Sequence, residues 1–143
     1  MKLRVQNPNS QRLIQIYTGG AVFKGCVAVL SGTAAVLGAA SIAADANTIL
    51  GIFREDAATT SKCYIETLGG DAVVEGEYTG ASKTTLTDAD LGKLIDIVVS
   101  TTTTSNDTQK FNLDDLTGPF QIVGYDNAKK LCYAVPLRAA RYI

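Results

Sequence analysis

Turn-forming residues interrupt this chain at intervals of about 8–12 residues, and this spacing limits what the chain can fold into. Examples are the Gly-Gly pair at 19–20, the Gly-Gly-Asp link at 69–71 and the Asp-Asn pair at 126–127. The stretches between the breaks are short and rich in β-branched and aromatic residues, and no helical periodicity extends through them. We therefore predict an all-β fold, a compact β-barrel or β-sandwich with hairpins and little helix.

Nine segments have the length and composition of β-strands. They are 12–18, 23–30, 33–37, 48–54, 62–68, 72–78, 93–100, 119–125 and 131–137. The link at 69–71 predicts that the two segments it joins form a hairpin. Residues 41–46 and 88–91 are predicted to form helical turns, the second with Thr87 as its N-cap. The polar tract 101–108 is predicted to be an exposed loop or strand tip.

The end of the chain carries the clearest local pattern, because 119–125 and 131–137 flank a polar link and predict a second hairpin. Apolar residues with period two predict one buried face in its second strand: Leu131, Tyr133, Val135 and Leu137. Pro136 suits an edge strand or a strand end. The residues after the hairpin are predicted to be a solvated tail, the alternative being that Arg138 and Arg141 contact an acidic partner.

The chain of 143 residues has the length of one domain. We divide it into an extended N-terminal arm with the first strand, residues 1–20, and a single β-domain, residues 21–143. An extended arm can add to the sheet of another subunit through main-chain hydrogen bonds. The predicted contact residues are Leu3, Arg4, Val5, Leu13, Ile14 and Ile16. The alternative, which stays open, is that this first strand pairs within its own domain.

The net charge and the absence of histidine narrow the possible functions. A formal net charge of −1 argues against nucleic acid as the main partner, because phosphate binding needs a basic stripe. Without histidine, Ser–His–Asp and Cys–His catalysis and histidine-containing zinc sites are excluded. Phosphate-binding glycine motifs are missing from the sequence. We therefore predict a protein that is not an enzyme and that uses neither a metal nor a cofactor.

The three cysteines, Cys26, Cys63 and Cys132, are far apart in the sequence and form no CxxC pair. Cys26 and Cys132 stand in apolar, strand-like contexts. We predict buried thiols in a protein made in a reducing cytoplasm. A disulfide between two of the three is the alternative, and a catalytic thiolate is disfavoured because no imidazole is present to activate it.

Residues 25–44 carry no charge, and twenty such residues have the length of a membrane span. Alanine, glycine and hydroxyl residues dilute this apolar character, and turn signals at 31–32 and at Gly38 divide the stretch into pieces of strand length. A signal peptide is a further alternative, with basic residues ahead of the stretch and small residues at 43–44. We predict two short buried strands and no membrane contact.

Two pairs of aspartates are the remaining candidates for chemistry. Asp88 and Asp90 stand in TDAD, and Asp114 and Asp115 are adjacent in LDDL. A carboxylate pair of a small hydrolase is one interpretation. Turn and cap chemistry, in which aspartate accepts hydrogen bonds from nearby backbone N–H groups, explains both pairs without a site and is the interpretation we prefer.

Four stretches of the sequence occur in a recognisable order. They are FKGCVAVLSGTAAV, ANTILGIFREDA, LTDADLGKLIDIVV and GPFQIVGYDNAKKLCYAVPL. The first two follow a G-x-x-V … G … ILG … D-A progression, the third has a D-x-G-K turn before a strand, and the fourth contains F-x-I-V-G-Y-D. In these motifs and their order the chain resembles the small capsid decoration (cement) proteins of tailed bacteriophages, over about residues 23–137.

The resemblance implies a β-domain that binds the outside of an assembled capsid, often as a trimer, and bridges neighbouring capsomers. The implied partners are the major capsid protein and further copies of the chain, and the implied location is the virion exterior after synthesis in the bacterial host cytoplasm. The alternative is a head-fibre or adhesion module that binds host-surface glycans through Tyr17, Tyr64, Tyr78 and Tyr125. Tyrosines gathered on one exposed patch would favour adhesion, whereas scattered or buried tyrosines would favour decoration.

Overall fold

The computed structural model describes residues 3–5, 13–38, 47–68, 72–99 and 109–142. The strands of these residues, in chain order, are β1 (Arg4–Val5), β2 (Leu13–Tyr17), β3 (Val27–Ser31), β4 (Ala34–Leu37), β5 (Ile49–Phe53), β6 (Lys62–Thr67), β7 (Val74–Thr79), β8 (Leu94–Val99), β9 (Gln109–Asn112), β10 (Phe120–Asp126) and β11 (Leu131–Pro136). Short 3-10 turns occur at Asp88–Asp90, as predicted, and at Arg138–Ala140. The predicted all-β class with little helix is confirmed.

Five strands of one sheet, which we call the barrel sheet, form a closed barrel. Their order is β7-β11-β10-β8-β9, and the ring closes because β9 pairs antiparallel with β8 and parallel with β7. The pair β10–β11 is the hairpin predicted at the end of the chain. β1 extends the sheet by pairing with β7 at Arg4↔Glu75 and Val5↔Val74.

The other strands form what we call the second sheet, in the order β2-β6-β5-β3-β4. β3 and β4 form an antiparallel hairpin, so residues 27–37 are the two short strands predicted within 25–44, and residues 39–46 lie outside the described residues. The two end strands approach each other where Thr18 bridges Ala35. Within the described part of the chain, no helix has the length and apolar character needed to cross a bilayer.

The two sheets share a core because β3 and β5 carry apolar side chains on both faces. Val27, Ile49 and Ile52 pack into the core of the barrel sheet. Leu50 and Phe53 belong to a separate cluster on the inner side of the second sheet. All five residues of β5 are buried, which explains why this strand is continuously apolar rather than alternating.

Gln109 fixes β9 of the barrel sheet against the second sheet. Its side chain is buried, and its Nε2 donates to the Gly38 carbonyl at 2.8 Å while its Oε1 accepts from the Val27 N–H at 2.6 Å. Two positions further on, Phe111 meets Phe120 edge to face, with ring centroids 5.5 Å apart. The sequence did not predict β9, because a buried glutamine at an inward position breaks the apolar alternation that marks a strand.

The predicted hairpin across 69–71 is wrong, and the link itself lies outside the described residues. β6 pairs with β2 and β5 in the second sheet, whereas β7 pairs with β1, β9 and β11 in the barrel sheet. The two strands bury their apolar side chains in different cores. Cys63 and Ile65 of β6 pack in the cluster of the second sheet, whereas Val74 and Tyr78 of β7 pack in the barrel core. A glycine-rich link therefore carries the chain between sheets here.

The predicted buried face of β11 comprised Leu131, Tyr133, Val135 and Leu137, and this prediction is wrong. Of these, Leu131 is buried, but the other three are only half-buried. The inward positions hold the small residues Cys132 and Ala134, which belong to the barrel core. Ala134 lies opposite Ile122 of β10, so a small residue on β11 leaves room for the large side chain facing the same interior.

The C-terminal segment is docked and is not the solvated tail that the sequence predicts. Ala140 is fully buried, and its carbonyl accepts from the Thr48 N–H at 3.0 Å. The Tyr142 N–H donates to the Ile49 carbonyl at 2.9 Å, so the segment follows the start of β5. The side chain of Arg138 stays exposed.

We predict that Gly51→Ala destabilises the protein far more than Gly20→Ala. A Cβ at Gly51 would lie 2.0 Å from the Glu66 carbonyl oxygen, a backbone atom of the neighbouring strand, whereas a Cβ at Gly20 meets nothing within 4 Å. Forcing β5 and β6 apart costs about 2–3 kcal/mol of the free energy of unfolding, measured by urea denaturation. Equal stability of the two variants would contradict the close approach of β5 and β6 at Gly51.

Candidate contact surface

The outer side of β2 and β6 presents an exposed surface that we call the β2–β6 face, made of Leu13, Gln15, Tyr17, Lys62 and Tyr64. Antiparallel pairing places Gln15 opposite Tyr64 and Tyr17 opposite Lys62. Residues directly opposite in an antiparallel pair point to the same side of the sheet. The two tyrosines are therefore diagonal neighbours on one face.

The large side chains of the β2–β6 face are well exposed: Leu13 by 57%, Tyr17 by 53% and Tyr64 by 45%. The Lys62 Nζ lies 5.8 Å from the centroid of the Tyr17 ring, within the range of a cation–π contact. Exposed tyrosines with an adjacent aliphatic side chain are the composition found at the centres of protein interfaces. The face can thus bury apolar area while its phenol, amide and amine groups make hydrogen bonds.

Alternation along β2 produces this face. Ile14 and Ile16 point inward and pack against the cluster of the second sheet, so Leu13 and Tyr17 must point outward. On β6, the Tyr64 N–H donates to the Glu55 carboxylate at 3.0 Å, which holds the strand next to the turn that follows β5. Tyr64 and Lys62 follow from the same alternation in 62–67, which the sequence analysis did not use.

The six predicted contact residues separate into exposed and inward-facing side chains. Leu3 is only 2% exposed and belongs to the barrel core, so the alternative in which the first strand pairs within its own domain holds for β1. Arg4 is exposed and binds Glu75 with an N–O distance of 2.8 Å. Ile14 and Ile16 face inward. Contact with a capsid or another subunit stays a prediction for Arg4 and Leu13, and Val5 is placed only through its pairing with Val74.

The four tyrosines of the adhesion alternative are divided between surface and interior. Tyr17 and Tyr64 share the β2–β6 face, but Tyr78 is buried and its hydroxyl donates to Asn127 at 2.7 Å. Tyr125 is half-buried and donates to Asp88 at 2.7 Å, which raises the pKa of Tyr125. Two tyrosines are therefore gathered on one exposed face and two are held elsewhere.

Three of the four aspartates singled out in the sequence, Asp90, Asp114 and Asp115, accept hydrogen bonds from nearby backbone N–H groups, as predicted, whereas Asp88 accepts from the Tyr125 hydroxyl. The Asp114 carboxylate accepts from the backbone N–H groups of Ala81, Ser82 and Lys83, which lowers the pKa of Asp114. Asp115 accepts from the backbone N–H and the hydroxyl of Thr117. These hydrogen bonds fix the backbone at 81–83, after β7, and the turn that follows β9.

Asp90 is the most buried of these carboxylates and the most strongly held. It is bound by Lys83 at 2.9 Å and Lys93 at 3.1 Å, and the Thr87 N–H donates to it at 2.9 Å. Burial alone would raise the pKa of Asp90, but these three contacts outweigh burial and hold its pKa well below the usual range. The side chain of Asp90 thus stays charged and closes the 3-10 turn.

All three cysteines lie buried as thiols, which confirms the predicted burial and the absence of a disulfide among them. Burial raises the pKa of Cys63 to about 11 and that of Cys132 to about 12. Among the described residues, no three acidic or cysteine side chains converge in an arrangement that could hold a metal ion. A polar pocket of about 110 Å³ beside Thr84 and Lys130 is smaller than the ~300 Å³ of an ordinary small-molecule site.

The fold and surface define a small all-β domain whose most developed surface feature is an exposed tyrosine-bearing sheet face. Comparison with protein-family models gave no match, and comparison with curated proteins gave none either. The residues and their geometry therefore carry the functional argument.

We predict that Cys63 and Cys132 react with a thiol reagent on the order of 100-fold more slowly in the native protein than in the unfolded chain at pH 8. The raised pKa values leave little thiolate at that pH, and labelling accelerates only as the pH approaches 11. Absorbance during labelling with and without denaturant measures the ratio. Equal rates in both states would show that the thiols are reachable.

We predict that Asp90→Asn lowers the free energy of unfolding by about 2 kcal/mol at pH 7, because the charged hydrogen bonds to two lysines are lost. Since the folded pKa is depressed, this stabilisation is present above the unfolded pKa near 4 and fades as the pH falls below it. Urea denaturation between pH 2 and 7 measures the difference between wild type and variant. Asp88→Asn, at an exposed carboxylate in the same turn, is the control, and a difference that grows on acidification would contradict the assignment.

Proposed function

We propose that this chain is a non-enzymatic structural protein of a tailed bacteriophage that binds the outer surface of the assembled capsid. In this proposal it bridges neighbouring capsomers and stabilises the shell, with the major capsid protein as its partner and a trimer of the chain as the assembling unit. The resemblance over about residues 23–137 supports the proposal. The observation that carries it is the β2–β6 face, where Leu13, Tyr17 and Tyr64 stand exposed on a sheet held by a buried core.

The size of the domain fits this role. Its accessible surface is 7087 Å², and a standard protein contact uses about 800 Å² on each partner. Two such contacts would occupy about a quarter of the surface, leaving the rest free. Each contact can be modest, because a shell holds its subunits at fixed spacing and many copies bind at once. Binding the assembled shell in preference to its separated subunits stabilises the shell by mass action.

The near-neutral charge supports a role in assembly. A formal net charge of −1 leaves little repulsion between copies packed close together on a particle. Lys62 of the β2–β6 face lies near the Tyr17 ring, and Glu66, which lies opposite Leu13 on the same side of the sheet, is paired with Arg54. Binding through this face is therefore expected to depend mainly on apolar burial and hydrogen bonding, and only weakly on salt.

A host-glycan adhesion module is the second candidate, and one observation favours it. Tyr17 and Tyr64 are diagonal neighbours on an exposed face, an arrangement that can stack against sugar rings. Against it, Tyr78 is buried and the Tyr125 hydroxyl is bound to Asp88. Binding of the chain to host-surface glycans, abolished by the same two substitutions described next, would support adhesion instead.

We predict that Tyr17→Ala combined with Tyr64→Ala weakens binding to capsids at least about tenfold, because interface tyrosines commonly contribute 1–2 kcal/mol each. The assay mixes purified chain with expanded capsids that lack it and measures the bound fraction by co-sedimentation across a concentration series. Tyr142→Ala is the matched control, since Tyr142 is 49% exposed and lies beside β5 rather than on the β2–β6 face. Thermal unfolding establishes that both variants fold.

Failure of the wild-type chain to co-sediment with capsids would overturn the proposed function. Binding that is unchanged in the double variant but lost in the control would place the contact elsewhere on the protein. Binding that is lost only in the double variant identifies the β2–β6 face as the contact.

A further inference from the structure

An exposed amide lies at the centre of the β2–β6 face. Gln15 is directly opposite Tyr64 in the register of the two strands. Leu13 and Tyr17 are two residues away on β2 and point to the same side of the sheet, because side chains alternate along a strand. The large exposed side chains of the face therefore flank a single amide group.

Gln15 and Tyr64 are close cross-strand neighbours. The main-chain groups of Tyr64 are directed away from β2, since its N–H donates to the Glu55 carboxylate at 3.0 Å and its carbonyl accepts from the Arg54 N–H at 3.0 Å. Gln15 and Tyr64 are thus a non-hydrogen-bonded pair, the type in which opposite side chains approach more closely. Any protein surface that covers the Tyr64 ring also covers the Gln15 amide.

The charged groups of this side of the sheet lie at the two ends of the strand pair. Lys62 is opposite Tyr17 at one end, and Glu66 is opposite Leu13 at the other end, where it binds Arg54. The centre of a protein interface loses its water on binding, whereas the rim stays accessible to solvent. Because of its central position, Gln15 is in the part of the face that a partner desolvates.

A glutamine that becomes buried needs partners for its amide. Among the described residues, no hydrogen bond joins the Gln15 side chain to another group, so its amide is open to a partner. Gln109 shows what burial requires within this protein, because its Nε2 donates to Gly38 and its Oε1 accepts from Val27. An amide buried without such partners costs binding affinity.

We infer that Gln15 determines the specificity of the β2–β6 face, and that the capsid surface covering the two tyrosines presents a hydrogen-bonding group to the Gln15 amide. The inference rests on the proposed function and deepens it. A partner patch that is apolar throughout would bury the tyrosine rings but leave the amide unpaired. The rings thus supply affinity, and the amide selects among apolar surfaces by penalising those without a matching polar group.

The test measures the capsid affinity of Gln15→Met and Gln15→Ala in the full chain by co-sedimentation. If the face bound by apolar burial alone, methionine would bind at least as tightly as wild type and more tightly than alanine, because it keeps the contact area. We expect Gln15→Met to bind about tenfold more weakly than wild type, since the capsid group that paired with the amide is left against an apolar side chain. Gln15→Ala is expected to bind no more weakly than Gln15→Met, because the space it leaves admits water.

Gln121→Met is the matched control, since Gln121 lies on β10 of the barrel sheet, away from the β2–β6 face. It introduces the same side chain elsewhere and is expected to bind as wild type. Thermal unfolding establishes that all three variants fold.

Two results overturn the inference while the wild-type chain binds capsids and the proposed function stands. One is a Gln15→Met protein that binds as tightly as wild type, and the other is a Gln15→Met protein that binds more tightly than Gln15→Ala. A wild-type chain that does not bind capsids overturns the proposed function, and this inference with it. Weaker binding of Gln15→Met than of wild type, at or below the affinity of Gln15→Ala and with Gln121→Met unchanged, supports the inference.

Discussion

The burial of β5 on both faces is the constraint on which the rest of the structure depends. Its side chains enter the barrel core on one side and the cluster of the second sheet on the other, so neither cluster is complete without it. The close approach of β6 at Gly51 belongs to the same arrangement, because any Cβ there would overlap the Glu66 carbonyl. The two sheets are therefore coupled through one strand, and an error in its register would disturb both cores.

That coupling determines which apolar side chains are left outside. β3 and β5 of the second sheet are covered by the barrel sheet, so the outer side of this sheet is exposed mainly at β2 and β6. Alternation then leaves Leu13, Tyr17 and Tyr64 in solvent, while Ile14 and Ile65 pack inward. The exposed face is thus a consequence of how the two sheets pack, and its tyrosines are the side chains that this packing does not require.

Sequence patterns predicted the local structure well and the long-range pairing poorly, for physical reasons. Turn spacing and apolar runs located the strands other than β1 and β9, because strand formation is visible in local composition. β9 was not predicted because its inward-facing residue Gln109 is polar, and the hydrogen-bond partners that allow its burial, Val27 and Gly38, are distant in the sequence. The choice between a hairpin and a crossing at 69–71 depends on which core each strand completes, and no local signal carries that information. Of the β2 residues predicted as contacts, Leu13 is exposed while Ile14 and Ile16 face inward, and Tyr17, Lys62 and Tyr64 share the face of Leu13 through the β2–β6 register.

The carboxylates and the exposed tyrosines of this chain have different structural roles. The Asp90 carboxylate binds two lysines of the loop between β7 and β8, and the Asp114 carboxylate accepts from three backbone N–H groups of the same loop. These anchors give the loop its conformation without a strand partner. In the proposed function, the free energy of binding at the β2–β6 face comes from removing Leu13 and the tyrosine rings from water. The buried carboxylate and the exposed aromatic side chains therefore have different consequences, the first for the stability of the fold and the second for the surface that the fold presents.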